Sequence, residues 1–352
     1  MATIGAAVAA YEEWLVGQLG DLLRPVALVR KHDRMRNDAG DFLRATCFRW
    51  AATAPAICPD LAGAPEVFAI GDCHVENFGL WRDAEGRMVW GVNDFDEAAP
   101  MPFAFDLVRL AASALLKHDE GKANAREIAE LVLRGYRDGL AAPMPFVLER
   151  RHTWLRRRAA ASRAEREKFW TRLGALPDDV PPAAFLTALQ AVLPHEAGDV
   201  RFKSREAGLG GLGLARFVAI ASFRGDDVVR EAKAMVPSCW APAQAPGAGL
   251  VRLARGPHRS PDPWLDLHGS IALRRLGPNS RKLEFDAGAP RLGRRLLAAM
   301  GFEVANIHAA EPQAAARISD DLRRRRGAAW LANAARATAA ATLRDWRAYR
   351  GG

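Results

Sequence analysis

Two polar segments, residues 70–77 (IGDCHVEN) and residues 93–97 (NDFDE), decide the fold predicted for this chain. The apolar runs beside them predict three short strands, at Val67–Ile70, Phe78–Trp81 and Met88–Val92. A strand, a loop and a tight hairpin would place Asp72, Asn77 and Asp94 side by side. Carboxylate and amide oxygens in such a cluster suit magnesium bound to nucleotide phosphate.

Composition favours a folded protein of more than one lobe that binds an anion. The chain has 352 residues, of which 49% are hydrophobic and 26% are charged, and its formal charge is +9. Arginine supplies most of the positive charge. No aromatic-interleaved motif accompanies it, so nucleic acid is not an expected partner.

The cysteines predict a reducing cytoplasm, since the four show neither a paired C-x-x-C spacing nor the density of a secreted disulfide scaffold. Glu12 and Glu13 interrupt the N-terminal apolar stretch, which argues against a signal peptide. No window reaches membrane-spanning length without charge, so a membrane partner is not expected either.

Helices are predicted on both sides of a strand-rich segment. Apolar residues recur at helical spacing near the N-terminus, after Asp106 and over residues 296–307, and a long helix is predicted from Ala316 to Arg347. From Val200 the sequence pattern predicts three antiparallel strands with a glycine-rich first turn, and another strand at Ser270–Leu276. We expect three parts: a helical catalytic lobe (1–198), a β-rich nucleotide-binding lobe (199–285), and C-terminal helices that pack back on the catalytic lobe (286–352).

Three residues are candidates for the chemistry itself. Asp72 and Asn77 have the D-x-x-x-x-N spacing of a kinase catalytic loop, in which the aspartate accepts a proton and the asparagine binds metal. Asp94, one hairpin later, is the second predicted metal ligand. The alternative is that all three cap turns, as Asp and Asn commonly do.

Other polar residues of these segments are predicted to support the site. His74 is expected to order its loop by hydrogen bonding, although it could ligate a metal. Asp106 is expected to be buried and to accept backbone hydrogens from the catalytic loop. Asp96 and Glu97 are interpreted as supporting or turn residues.

A glycine-rich loop and a lysine are the predicted phosphate-binding elements. The glycines are Gly208, Gly210, Gly211 and Gly213. Lys233 follows on a strand whose alternation puts Glu231 and Lys233 on one face. A lysine in a half-apolar strand needs a negatively charged partner, and nucleotide phosphate would provide one. Alternatively, the glycines form only a flexible hairpin turn, and Lys233 is a surface lysine on an edge strand.

Together these motifs resemble the bacterial domain-of-unknown-function 2252 family. The segments that carry the resemblance are residues 71–79 (GDCHVENFG), 93–97 (NDFDE) and 105–113 (FDLVRLAAS). It extends from Met35 and Arg44 to residues 305–309 (ANIHA) and so spans most of the chain. The reaction of that family is not established, and its name implies no activity.

The motifs are in turn similar to the aminoglycoside phosphotransferase and choline kinase branch of the protein-kinase-like fold. There a G-D-x-H-x-x-N loop, a D-x-x-D element and a D-L-A segment follow one another, and Asp72, Asn77, Asp94 and Asp106 match those positions. Ile70 departs from the pattern, because those enzymes usually carry a histidine there. The resemblance implies an α+β, two-lobed kinase-like fold with ATP and magnesium as cofactors.

The order of the parts departs from an ordinary kinase, in which the glycine loop and lysine precede the catalytic loop. Here they follow it by more than a hundred residues, which predicts a circular permutation. An L-H-A helix shortly before the catalytic loop is typical of that branch, and residues 307–309 (IHA) are its counterpart near the C-terminus. Termini that lie close together make such a rearrangement physically tolerable.

The leading functional hypothesis is an ATP- and magnesium-dependent phosphotransferase that acts on an unidentified small hydroxyl-bearing molecule. Arg44 is a further supporting candidate. Nucleotidyl transfer, and a pseudokinase that binds nucleotide without turnover, remain alternatives. A metallophosphoesterase is a weaker one, because the histidines other than His74 are isolated in the sequence.

Overall fold

The computed structural model describes residues 2–117, 124–282 and 290–351 and has a mixed α+β fold. Four helices precede the first strand: α1 (Ile4–Leu19), α2 (Pro25–Asn37), α3 (Ala39–Ala45) and α4 (Cys47–Ile57). The predicted N-terminal amphipathic helix is confirmed, since Leu15 and Leu19 of α1 are buried.

The catalytic-loop segment contains the strands that the sequence predicts. They are β1 (Glu66–Ala69), β2 (Phe78–Arg82), β3 (Met88–Val92), β4 (Ala99–Pro102) and β5 (Phe146–Val147). Strand β1 pairs with β4, whereas β2, β3 and β5 form a separate antiparallel sheet. The predicted hairpin is confirmed, because β2 and β3 pair in register across the turn at residues 83–87.

Helices form the core around this segment. They are α5 (Phe103–Leu116), α6 (Ala125–Ala141), α7 (Thr153–Ala159), α8 (Arg163–Gly174) and α9 (Ala183–Val192). Helix α5 is buried on almost every side. Helix α6 packs closely on the C-terminal helix α11 (Pro290–His308), and a Cβ added at Gly135 would overlap the carbonyl oxygen of Ala298.

A five-stranded antiparallel sheet follows, in the order β6-β7-β8-β10-β9. Its strands are β6 (Gly198–Ser204), β7 (Arg216–Phe223), β8 (Asp226–Ala234), β9 (Asp266–His268) and β10 (Ile271–Leu276), with the short helix α10 (Leu250–Ala254) between β8 and β9. The three predicted strands and their glycine-rich first turn are confirmed. The predicted lobe boundary at 198/199 falls at the start of β6, and the boundary at 285/286 lies outside the described residues.

The single helix predicted from Ala316 to Arg347 is wrong. The segment forms two helices, α12 (Ala314–Arg325) and α13 (Ala329–Gly351). Between them Arg326 and Gly327 have φ values of +45° and +67°, which no helix can continue through. Gly327, directly after the basic turn 323–326, is a helix-stop signal that the prediction from alanine-rich composition overlooked. Helix α13 packs against α5 and against the N-terminal helices.

The two ends of the described chain lie close together. Arg49 donates to the carbonyl oxygen of Ala2 at 3.2 Å and to Asp345 Oδ2 at 2.8 Å. His32 of α2 also contacts Tyr349 of α13. Among the described residues, no helix has both the length and the apolar character that crossing a membrane requires.

Candidate phosphate and metal site

Asp106 holds the loop that follows β1. Its carboxylate is fully buried and accepts hydrogen bonds from Ile70 N at 2.7 Å and Gly71 N at 3.0 Å. The ring of His308, at the end of α11, lies 3.0 Å from the same carboxylate. Asp106 lies inside the first turn of α5 and braces the loop, which confirms its predicted burial and backbone contacts.

Asp72 is paired with Arg109, a residue that the motif analysis missed. Arg109 Nε donates to Asp72 Oδ1 at 2.6 Å, and its Nη2 also donates to the carbonyl oxygen of Leu43 at 2.9 Å. Arg109 is almost fully buried, while the Asp72 side chain keeps 19% of its exposure. The i, i+3 spacing from Asp106 is the signal that could have found it, because both residues then share one face of α5.

His74 orders the loop as predicted. Its Nδ1 accepts a hydrogen bond from Glu76 N at 3.2 Å, and its Nε2 lies 3.6 Å from Asp72 Oδ2. Burial, together with the positive charges of Arg44 and Lys282, holds the pKa of His74 well below its usual value. A neutral ring that accepts at Nδ1 carries its proton on Nε2, on the side of Asp72.

Asn77 joins the two polar segments. Its Nδ2 donates to the backbone oxygens of Asp72 and Asp94, each at 3.0 Å. Its Oδ1 is buried and has no hydrogen-bond partner among the described residues. A buried acceptor without a partner is costly and calls for an explanation, and a bound cation would supply one.

Asp94 and Asp96 lie against Lys233, although the lysine follows them by more than a hundred residues. Lys233 Nζ contacts the carboxylate of Asp96 and lies 4.0 Å from Asp94 Oδ1. Burial opposes the ionisation of Asp94, but Lys233 and Asp96 outweigh it and hold the pKa of Asp94 below its usual range. Burial and the charge of Asp94 raise the pKa of Asp96. Asp94 is therefore the firmly ionised member of the pair, and Asp96, interpreted from sequence as a supporting residue, is the direct partner of Lys233.

Glu231 binds three arginines. It accepts from Arg216 Nη1 and Arg274 Nε, each at 2.6 Å, and also contacts Arg205. Burial raises its pKa, but the three guanidinium groups outweigh that effect and hold it well below the usual range. The sequence placed Glu231 and Lys233 on one face of β8, and both do line the same cavity, yet the arginine partners were not foreseen.

The glycine-rich loop between β6 and β7 covers Lys233. A Cβ added at Gly211 would lie 3.3 Å from Lys233 Cε, so a larger residue there would crowd the lysine. Gly208 and Gly213 have φ values of +73° and +101°, which favour glycine. Gly210 lies against the backbone of Arg44. The structure thus brings the glycine loop and Lys233 together with Asp94.

Two neighbouring cavities meet at this point. The first, the acidic cleft, is lined by residues that include Arg44, Asp72, Asn77, Asp94 and Gly208 to Gly211. The second, the arginine cavity, is lined by residues that include Arg205, Arg216, Glu231, Lys233 and Arg274. Asp94, Asp96, Gly208 and Lys282 line both.

Arg44 and Lys282 add positive charge to the acidic cleft. Arg44 is buried, bonds Asp41 at 3.1 Å and contacts Glu76. Loss of hydration at the ammonium group, aided by the charge of Arg44, lowers the pKa of Lys282 to about 8, although the side chain as a whole remains open to solvent. No sequence motif marked Lys282; it reaches the site because its backbone pairs with Gly79 at the edge of β2.

The comparisons with known proteins cover only part of this site. No curated protein and no solved structure gives a significant match to the chain. One family model does match, over residues 23–146, which include Asp72, Asn77, Asp94, Asp106 and Arg109. Over that part of the chain, the protein matches the family described as "Uncharacterized protein conserved in bacteria (DUF2252)".

Proposed function

We propose that the protein is a magnesium-dependent phosphotransferase that uses ATP and modifies a small hydroxyl-bearing molecule. The buried, unpartnered Oδ1 of Asn77 carries the proposal, because the Nδ2 of the same amide bonds the backbone oxygens of both Asp72 and Asp94 and so places the amide where the two segments meet. Asn77 and Asp94 would hold the metal ion, which when bound neutralises charge on the phosphates. An amide and a carboxylate oxygen are donors of the kind that magnesium takes.

The arginine cavity fits a nucleoside triphosphate. Lys233, Arg216 and Arg274 supply positive charge on one wall. Leu250, Leu265 and Leu273 supply an apolar wall that suits a nucleobase. The glycine loop brings its backbone close to this cavity at Gly208, where phosphate oxygens could approach without steric conflict.

Asp72 would orient the acceptor hydroxyl at the acidic cleft. Its Oδ1 is held by Arg109, and its Oδ2 lies 3.6 Å from His74 Nε2, too far for a hydrogen bond, which leaves Oδ2 available to a substrate hydroxyl. Phosphoryl transfer passes through a loose transition state in which positioning matters more than strong proton abstraction, so holding the acceptor hydroxyl in place is the main task proposed for Asp72.

A circularly permuted kinase-like architecture is part of the proposal. The sheet β6–β10 would be the nucleotide lobe, with its glycine loop and Lys233 opposite the loop 70–77. The contact between His308 and Asp106 supports the permutation, because it seats the C-terminal IHA segment against the catalytic loop. The closeness of the chain ends supports it as well.

Nucleotide binding without transfer is the second candidate, and the Arg109–Asp72 pair favours it. If Arg109 also keeps Asp72 from bonding the acceptor hydroxyl, the protein would bind nucleotide without transfer. Nucleotidyl transfer would use the same cleft and differs only in the bond that is broken. The phosphoesterase alternative has less support, since His74 is the only histidine among the described residues that line the acidic cleft.

Titration calorimetry with ATP at fixed magnesium tests the site. Wild-type protein should bind ATP in a magnesium-dependent manner, and Asp94→Ala and Asn77→Ala should each weaken binding by at least about tenfold, since even outer partners of metal ligands are worth about 10- to 100-fold. The matched control is Asp320→Asn on the exposed face of α12, which should bind as wild type does. Unchanged isotherms for Asp94→Ala and Asn77→Ala would remove both residues from the site.

Phosphorus NMR of ATP incubated with the protein and a mixture of small alcohols and amino sugars separates the candidates. ADP with a new phosphate ester indicates phosphoryl transfer, whereas pyrophosphate indicates nucleotidyl transfer. Binding with neither product selects the non-catalytic candidate. Absence of binding contradicts all three.

A further inference from the structure

Cys47, Glu97 and Cys239 converge from three separate parts of the chain. Cys47 begins α4, Glu97 follows β3, and Cys239 lies between β8 and α10. One ligand atom from each, two sulfurs and a carboxylate oxygen, all lie within 4.8 Å of one another. None of these residues belongs to the proposed magnesium and phosphate site.

We propose that these three side chains form a binding site for a zinc-like divalent cation, distinct from the magnesium site at Asn77 and Asp94. Two thiolates and a carboxylate form a donor set that zinc accepts, whereas magnesium avoids sulfur. Three protein ligands leave a fourth coordination position. Cys47 and Glu97 both line the acidic cleft with Asp72, so this open position faces the cleft.

The surroundings of Glu97 support a bound cation. The carboxylate accepts a hydrogen bond from Cys239 N at 2.7 Å, which fixes its orientation toward the two sulfurs. Ser238 Oγ donates to the backbone oxygen of Glu97 at 2.9 Å and steadies the same segment. Glu97 is half-buried and forms no ion pair with the described residues, so a negative charge there is costly without a partner. A divalent cation would remove that cost.

A disulfide explains the same residues less well. It would join Cys47 to Cys239 but leave the adjacent carboxylate without a role. In the described structure both thiols are free. On metal binding, each sulfur gives up one proton to solvent as its bond to the cation forms, and no electron is transferred.

The cluster contacts the candidate catalytic loop directly. Cys47 Sγ lies 3.6 Å from the carbonyl oxygen of Gly71, and Trp240 Nε1 donates to the same oxygen at 3.1 Å. A cation here would tie α4 and the segment after β8 to the residue that precedes Asp72. The inference does not depend on nucleotide binding, so it can fail or hold independently of the proposed function.

Cobalt(II) is the probe, because it reports thiolate ligation by its near-ultraviolet charge-transfer absorption. Reduced, chelator-treated full-length protein should bind one equivalent with that band, and equimolar zinc should displace it. Cys47→Ser and Cys239→Ser each remove one of the two thiolate ligands, so each should show a weaker band per bound ion and weaken binding by at least about tenfold, since even an outer partner of a ligand is worth about 10- to 100-fold. The double variant should show no band. Glu97→Gln should keep the band but weaken binding.

Cys58→Ser is the matched control, because Cys58 is also buried but lies outside the cluster. It should bind cobalt as wild type does. Release of two protons per ion, measured on wild-type protein alone, tests the site even if a variant fails to fold. A missing thiolate band in the wild-type protein, or a band that keeps its full intensity in Cys47→Ser, would overturn the proposal. So would the finding that the reduced thiols bind no metal and only form a disulfide on oxidation.

Discussion

Replacing Asp106 with asparagine tests whether one buried carboxylate holds the loop 70–77 in place. Its Oδ2 accepts from Ile70 N at 2.7 Å and from His308 Nε2 at 3.0 Å, and its Oδ1 accepts from Gly71 N at 3.0 Å. The amide nitrogen of asparagine must replace one of these oxygens. In the less costly orientation it replaces Oδ1 and leaves Gly71 N facing another donor.

The magnitude follows from that one unsatisfied group. An unpaired buried N–H costs about 1–3 kcal/mol, so Asp106→Asn should lower the free energy of unfolding by about 2 kcal/mol. Asp106→Ala removes all three bonds and should lower it by about 3 kcal/mol or more. Because the loop carries the proposed metal ligand Asn77, magnesium–ATP affinity should fall in the same order.

Urea denaturation followed by tryptophan fluorescence is a suitable assay, since Trp240 bonds the loop at Gly71 and stacks on Phe105. The control is Asp320→Asn, an exposed aspartate on α12, which should change stability by less than about 0.5 kcal/mol. An Asp106→Asn protein that also stays within about 0.5 kcal/mol of wild type would refute the bracing role.

Three further predictions concern the cleft and the core. Lys282 has a pKa lowered to about 8, and only its protonated form attracts phosphate. ATP affinity, measured by calorimetry at several pH values, should therefore fall as pH rises through 8 in the wild-type protein. The affinity of Lys282→Met should not show this fall. Glu231→Gln should lower the free energy of unfolding by about 3 kcal/mol in urea titrations, because it leaves buried guanidinium groups without their anion. Gly135→Ala should lower the free energy of unfolding by about 2 kcal/mol, because the new methyl group overlaps the carbonyl of Ala298. Gly174→Ala has open space around it and should not lower stability. Equal urea midpoints for the two variants would contradict this.

Local patterns predicted most of the secondary structure. The hairpin β2–β3 follows from two apolar runs around a polar turn, and β6–β8 follow from alternation around glycines. The break between α12 and α13 was missed because it depends on two positive-φ residues, Arg326 and Gly327, in a segment with helical composition. Periodicity reports which face a residue occupies, but it does not report a backbone reversal of two residues.

The candidate site was predictable where its parts are close in sequence. Asp72, Asn77 and Asp94 lie within one strand-loop-hairpin unit, so their proximity follows from short connections. The bracing role of Asp106 also followed from its position after that unit. Arg109 and Lys282 were not predicted, since each reaches the site through packing and carries no motif of its own.

The sequence by itself determined the local elements, the polar loops and the face of β8 that carries Glu231 and Lys233. Only the tertiary structure decided which charges pair. Lys233 meets Asp96 across 137 positions of sequence, and Cys47 meets Cys239 across an even longer separation. The physical reason is that hydrogen bonding and side-chain alternation act over a few residues, whereas the pairing of distant charges depends on the path of the whole chain and on the burial that makes an unpaired charge costly.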